Sequence, residues 1–323
     1  MKAWIARHYG GPEVLRLEEV PTPSPKQGEV LIRVHATTVN SGDVRVRGLD
    51  MPPGMTLMGR LALGWNGPRQ PVLGTELAGV VEAVGQDVTR YRSGDCVIAF
   101  FGGAMGAHAE YATIPEIGRI ALMPGRLDFT SAAGLCFGGT TALHYLRQAG
   151  LQPGQSILVL GGSGAVGLSL VQLARHQGAD VTATTSAPNR DLLTRFGSHQ
   201  VIDYTATNPL AGPARYDIVA DCVAATDFAR AQKALKPGGR YLAIAGGIRE
   251  MLGSLRKGAD GTRMIAGPAA ERAEDIVELA RLAEAGTYVS HVDRVFSFSD
   301  LPAAHAYVDT GRKRGSVVVT VAD

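Results

Sequence analysis

A glycine spacing constrains this chain more than any other feature. Gly162-Ser163-Gly164-Ala165-Val166-Gly167 follows the apolar run Ile157-Leu158-Val159-Leu160 and opens a segment carrying Val166, Leu170, Leu173 and Ala174 at helical spacing. A G-x-G-x-x-G between a buried strand and an amphipathic helix is the phosphate-binding turn of a dinucleotide fold. In that reading Gly162 permits the tight turn, Gly164 lets a pyrophosphate approach the backbone, and Gly167 lets helix and strand pack closely. The helix N-terminus would then offer N–H groups and its positive dipole end to the phosphates. Glycine-rich turns are common, so the hexamer alone is a weak signal. Its place between strand and helix gives it weight.

The surrounding texture agrees. From residue 126 to 286 apolar runs alternate with helical spacing: Val181–Thr184, a helix near Leu192–Phe196, Gln200–Tyr204, Asp217–Asp221, Arg240–Ile244, and a last helix marked by Ile276, Leu279, Ala280 and Ala283. This alternation implies an α/β unit with a doubly wound parallel sheet covered on both faces. Residues 1–125 read instead as short strands broken by Gly and Pro, such as Glu29–Ala36, Leu77–Val84 and Asp95–Phe100, which suggests a compact β-barrel. The apolar run Ser316–Val321 returns to strand texture, so residues 287–323 are expected to complete the first domain. The Gly-, Pro- and Met-rich stretch Pro52–Pro71, with Trp65 inside it, reads as a long loop.

The end of the second strand indicates which nicotinamide cofactor fits. An NAD site places Asp or Glu there to hold the ribose hydroxyls. Here the strand runs into Thr184-Thr185-Ser186-Ala187-Pro188-Asn189-Arg190 with no acid, while Asp180 precedes it as a turn residue. Hydroxyls plus Arg190 suit a 2′-phosphate, which favours NADPH.

Composition excludes several classes of partner. The 323 residues carry a net charge of only +2, with Lys and Arg scattered rather than striped, which argues against nucleic acid. The short basic runs Arg45-Val46-Arg47 and Arg312-Lys313-Arg314 read as solvated surface. No run approaches the ~20 apolar residues that span a bilayer. The three cysteines, Cys96, Cys136 and Cys222, are no disulfide framework. With no apolar leader behind Met1-Lys2, they point to a cytoplasmic protein.

Several stretches in order resemble the zinc-independent quinone oxidoreductase branch of the medium-chain dehydrogenases/reductases. They are Tyr9–Leu15, Val39-Asn40-Ser41-Gly42-Asp43, Pro71–Gly79 (PVLGTELAG), Gly94–Val97, Ala109-Glu110-Tyr111 and Gly161–Gly167. The resemblance covers nearly the whole chain. It implies a Rossmann domain plus a GroES-like β-barrel domain, with the cofactor between them and a homodimer. It further implies that Asn40 and Thr140 lie near the nicotinamide and its ribose, as candidate catalytic residues. By the same resemblance Ser186 and Arg190 match the 2′-phosphate region, Tyr204 the adenosine half, and Cys222, Ala245 and Gly246 the border of the nicotinamide. Relatives often carry a basic residue nearer Pro188. In relatives the strand Arg263–Ala266 often pairs across a dimer axis.

Zinc-dependent members of that superfamily hold catalytic metal with an early Cys, a His-Glu pair and a later Cys or Asp. This chain has Asn40 and Asp43, then Thr75-Glu76, at the first two of these places, and its barrel has a single cysteine, Cys96. Its eight histidines form no His-x-x-x-His pair. No metal site is expected. Hydride abstraction from an alcohol needs a stabilised alkoxide, so a metal-free enzyme is expected to use acceptors that are already electron-poor, such as quinones or enones. Alternatives are a carbonyl or enoyl-thioester reductase, or an NADPH-binding sensor with little turnover. Candidate proton donors are Thr140, Tyr111 and His108. For the last two, packing is the stronger reading. Asp43 reads as an orienting carboxylate, and Met58 and Trp65 either line a substrate mouth or pack the loop onto the barrel.

Overall fold

The long strand Glu29–Val39 organises the N-terminal half. In the computed structural model, which describes residues 1–51, 54–255, 257–258 and 260–322, it pairs antiparallel with Glu76–Val84, Tyr111–Pro115 and Ser316–Thr320. Register shifts at Leu31/Ile32 and Val34/Ala36 mark bulges, which bend a strand and let it serve several neighbours. The sheet continues through Cys96–Phe100 to Ile120–Leu122 on one side, and through Ser316–Thr320 to Val292–Ser297 on the other. Val30, Ile32 and Val34 alternate inward with Leu77, Val81, Val97, Ala99 and Ile114 to form one core. The C-terminal strand thus rejoins the first domain, with Val317 opposite Val39 and Val319 opposite Thr37.

The second sheet is wholly parallel. Its six strands run in the order Gln200–Asp203, Asp180–Thr185, Ser156–Leu160, Tyr216–Asp221, Leu235–Ala243, Arg263–Ala266. In chain order that is 3-2-1-4-5-6, the doubly wound arrangement. Ile157, Leu158 and Val159 are fully buried, as expected of a strand covered on both faces. The helix Ala165–His176 departs from the single buried stripe read from its spacing. Gly167 through Ala174 are all buried and Val166 is only half-buried, so the helix is enclosed nearly all round.

The compact units do not divide where the texture changes. Met1–Met51, Thr56–Thr140 and the tail from Glu271 form one, and Thr141–Ala270 forms the body of the other. The helices Phe129–Ala133 and Ala273–Glu284 therefore leave the range 126–286 expected for the second domain. The reason is burial: Phe129–Ala133 packs on Glu29–Val39 and Glu76–Val84, and Ala273–Glu284 packs on Ile120–Leu122 and Cys96–Phe100. A further helix, Leu301–Asp309, follows the one read as last, and buries Leu301, Ala304 and Val308 against Trp4, Leu15 and Val317. The expected loop 52–71 contains the helix Thr56–Leu63; Pro52 and Pro53 lie outside the described residues. Asp180 is the first residue of its strand, exposed at the end opposite Thr185. Among the described residues no helix is long and apolar enough to cross a membrane.

One polar cluster interrupts the first unit's core. Arg47, read as solvated surface, is buried, with its guanidinium paired to Asp309 at 2.7 Å and donating to His305 Nδ1 at 3.1 Å. His305 lies edge-on to His108, ring centroids 5.3 Å apart, and both rings are fully buried. Burial pushes His108 down to about 4; burial, then His108 and Arg47, push His305 well below its usual value. Both rings are thus neutral when folded, whereas the unfolded chain binds protons near pH 6.5. Stability from this source is complete above pH 6.5 and is lost as pH falls toward 4, on the order of 2–3 kcal/mol for His108. We predict that His108→Gln loses less stability than the parent between pH 7 and pH 5, read from urea midpoints. Equal losses would show that His108 is not the acid-sensitive group.

Candidate functional site

The glycine turn sits at the carboxyl edge of the parallel sheet, between its first strand and the helix Ala165–His176. The left-handed residue is Gly161, φ +76°, and a Cβ there would meet Val223 at 2.6 Å. The tight-turn role expected of Gly162 therefore belongs to Gly161. Gly162 is instead pressed on Ala183 and Leu193, 3.0 and 3.1 Å from where a Cβ would stand. Gly167 makes the close helix–strand approach: a Cβ would lie 2.2 Å from the carbonyl oxygen of Gly161. Gly164 has nothing nearer than 3.7 Å and forms the helix N-cap without a side-chain cap. Open space at a bare helix N-terminus is the cradle a pyrophosphate requires. Ser163, Ala165 and Val166 complete the turn half-buried, and Ser163 Oγ accepts from Thr185 Oγ1 at 3.1 Å.

The other residues expected to hold cofactor gather on the same edge of this sheet. Ser186 follows the second strand and precedes the short helix Arg190–Arg195. Arg190 is exposed, and its charge helps hold Asp203 below the usual carboxylate range, after the hydrogen bonds from Thr205. Tyr204 N–H donates to Thr185 O at 3.2 Å, which places Tyr204, largely exposed, beside the end of the second strand. Cys222 N–H reaches Leu160 O at 3.1 Å, so the fourth strand ends beside the first. Burial, then Asp221, push the Cys222 thiol far up, which disfavours its thiolate. Ala245 and Gly246 are half-buried just past the fifth strand. Sequence reasoning passed over Asp221. Its buried carboxylate accepts from the N–H groups of Val223, Ala225 and Thr226 and from the Tyr241 hydroxyl, shaping the loop after the fourth strand.

In the first unit Asn40 and Thr140 are both buried. Asn40 caps the helix Ser41–Gly48, its Oδ1 accepting from Gly42 N at 2.9 Å while Asp43 Oδ2 accepts from Asn40 N at 2.8 Å. Its Nδ2 donates to Thr75 Oγ1 at 2.5 Å. Asp43 is thus the orienting carboxyl, pushed well up by burial and by the neighbouring Glu76. Thr140 lies on the helix Cys136–Ala149, its hydroxyl directed at Phe137 O, 3.4 Å away. Between these segments stands Glu76, to which sequence reasoning assigned no role. Its Oε1 accepts from Thr38 Oγ1 at 2.7 Å, and its Oε2 accepts from Cys136 N at 2.9 Å and Phe137 N at 2.7 Å. His108 Nε2–H donates to Thr38 O at 2.9 Å, and the ring is buried and neutral, which suits packing rather than proton donation. Met58 and Trp65 are 54% and 58% exposed.

The donor set suits zinc poorly. Zinc binds N and S donors at tetrahedral spacing. Here Asn40 spends its polar atoms on Thr75 and the Gly42 N–H, and Glu76 spends its own on Thr38 and the N–H groups of Cys136 and Phe137. His305 takes up a guanidinium N–H instead. Among the described residues no three His, Cys, Asp or Glu side chains group as a metal site.

Residues 26–125 match the alcohol dehydrogenase GroES-like domain and residues 196–319 the zinc-binding dehydrogenase family. The chain is 33% identical to a 2-methylene-furan-3-one reductase of Solanum lycopersicum, with 99% of this chain and 79% of that one aligned. An NADPH-dependent alkenal/one oxidoreductase, chloroplastic, of Arabidopsis thaliana is equally similar, at 33% identity over the same shares. The quinone oxidoreductase from Coxiella burnetii superposes with a TM-score of 0.87 at 28% identity, covering 100% of this chain and 99% of that one.

The glycines predict a contrast. Gly167→Ala forces a methyl onto backbone and is expected to lower the thermal midpoint. Gly164→Ala is expected to fold normally yet bind dinucleotide at least about tenfold more weakly, because its methyl fills the cradle. Fluorescence titration checks this, and unchanged affinity in Gly164→Ala would move the phosphates elsewhere.

Proposed function

The chain belongs to the medium-chain dehydrogenase/reductase superfamily, in its quinone oxidoreductase-like branch, and from that premise we propose a metal-free transfer of hydride from NADPH to quinones and α,β-unsaturated carbonyl compounds. It is an NADPH-dependent oxidoreductase. The metal-free part rests on one observation: Asn40 is already committed to Thr75 and the Gly42 N–H, and Glu76 to Thr38 and the N–H groups of Cys136 and Phe137. Without a Lewis acid the acceptor must itself be electron-poor, as quinones and enones are. NADPH, when bound, supplies hydride from nicotinamide C4.

The chain's residues bind and orient. The turn Gly161–Gly167 holds the pyrophosphate through backbone N–H groups, and Ser186 with Arg190 holds the 2′-phosphate by charge-assisted hydrogen bonds. Tyr204 lies along the adenosine, and Cys222, Ala245 and Gly246 border the nicotinamide ring. Asn40 and Thr140 stand near that ring and its ribose. Water or the Thr140 hydroxyl delivers the proton that completes reduction. Three free cysteines, one of them the exposed Cys96, suit a reducing cytoplasmic compartment. The strand Arg263–Ala266 is the outermost of its sheet, an edge that a second copy can extend into a homodimer.

Three measurements test this reading. Protein stripped with a chelator is expected to oxidise NADPH when 1,4-benzoquinone or an enone is added; activity that returns only with zinc would end the metal-free mechanism. Arg190→Ala is expected to raise KM for NADPH about tenfold and leave KM for NADH nearly unchanged. Equal effects on both would detach Arg190 from the 2′-phosphate. Light scattering at micromolar concentration is expected to report twice the 33.9 kDa chain mass, and a monomer would remove the homodimer.

A further inference from the structure

Three donors converge on the buried carboxylate of Glu76: the Thr38 hydroxyl and the N–H groups of Cys136 and Phe137. Thr38 lies two residues before Asn40 on one continuous stretch, and Cys136 and Phe137 begin the helix that carries Thr140. The two segments also lie close together, since a Cβ built on Gly42 would stand 3.3 Å from the Phe137 ring. An ordinary helix start is capped by a neighbouring Ser, Thr, Asp or Asn. This one takes its cap from a strand residue 60 positions away, and burying that charge is costly. Only an acceptor-only group satisfies all three donors at once, and its charge favours the positive helix end.

We propose that Glu76 is a positioning residue for hydride transfer, clamping the segment that carries Asn40 to the first turn of the helix that carries Thr140. The proposal rests on the placement of Asn40 and Thr140 beside the nicotinamide under the proposed function. Loss of the charge weakens the two N–H bonds that hold the helix start, and the Thr140 segment shifts relative to Asn40. Burial raises Glu76 to about 7, opposed by the hydrogen bonds from Thr38, Phe137 and Cys136 and then by Lys313. The other groups facing it are Asp43 of the helix Ser41–Gly48, the Cys136 thiol and Lys313 ahead of the final strand. The carboxylate form holds the clamp, so activity rises as pH climbs through the Glu76 midpoint.

The test is the pH profile of kcat for NADPH oxidation with 1,4-benzoquinone in the full chain. The parent is expected to show a midpoint near 7. Glu76→Gln, which keeps the shape but not the charge, is expected to lose that midpoint and to run about tenfold below the parent at pH 8, with KM for NADPH within about twofold. Thr38→Val removes one donor to the carboxylate and is expected to move the midpoint upward. A Glu76→Gln profile that keeps the parent's kcat or its midpoint overturns the proposal. If Glu76→Gln does not fold, an unmoved midpoint in Thr38→Val overturns it instead. A parent that oxidises no NADPH with any quinone or enone sinks the proposed function and this role with it. An active parent with an indifferent Glu76→Gln sinks only the role.

Discussion

The contact on which the functional edge depends is the approach of Gly167 to the carbonyl of Gly161. The helix Ala165–His176 lies so close to the first strand that a Cβ would stand 2.2 Å from that oxygen. This proximity aims the helix N-terminus at the carboxyl edge of the parallel sheet. The strand order then does the rest. The first and fourth strands lie side by side, and the connection after the first runs toward the second while the connection after the fourth runs toward the fifth, so the two diverge at the switch point. Ser186, Tyr204, Cys222, Ala245 and Gly246 all follow strand ends on that edge.

The first unit solves a different problem. Its sheet buries several polar side chains, and each must be satisfied internally or the fold loses the desolvation cost. Asn40, Thr38, Thr75 and Glu76 form one hydrogen-bonded network, and Arg47, Asp309 and His305 another. The first network spans the strand Glu29–Val39 and the helix Cys136–Ala149, so the positions of Asn40 and Thr140 are not independent. Chemistry that needs only orientation and an electron-poor acceptor, as proposed above, suits a scaffold whose side chains are held by such hydrogen bonds.

Much of this was legible in the residues. Strands buried on both faces read as apolar runs, so Ile157–Leu160 and Asp217–Asp221 stood out. The acid-free stretch Thr184–Arg190 marked the cofactor preference because it lies beside its own strand. The helices Thr56–Leu63 and Leu301–Asp309 did not stand out. The first turns Leu57, Met58 and Leu61 to solvent, and the second buries only small or widely spaced apolar residues along with His305. The packing of Phe129–Ala133 and Ala273–Glu284 on the first unit is not legible in the residues, because both are ordinary helical sequence whose partner surface is chosen by packing.

The sequence by itself determined the glycine turn, the parallel sheet around it and the dinucleotide class, because backbone freedom and periodicity are properties of neighbouring residues. Tertiary structure alone decided that Gly161 rather than Gly162 takes the left-handed turn, that Arg47 is buried, that His108 meets His305, and that Glu76 joins Thr38 to Cys136 and Phe137. The reason is that a buried polar atom is satisfied by whatever donor the folded chain brings within about 3 Å, and that partner can lie anywhere along the chain.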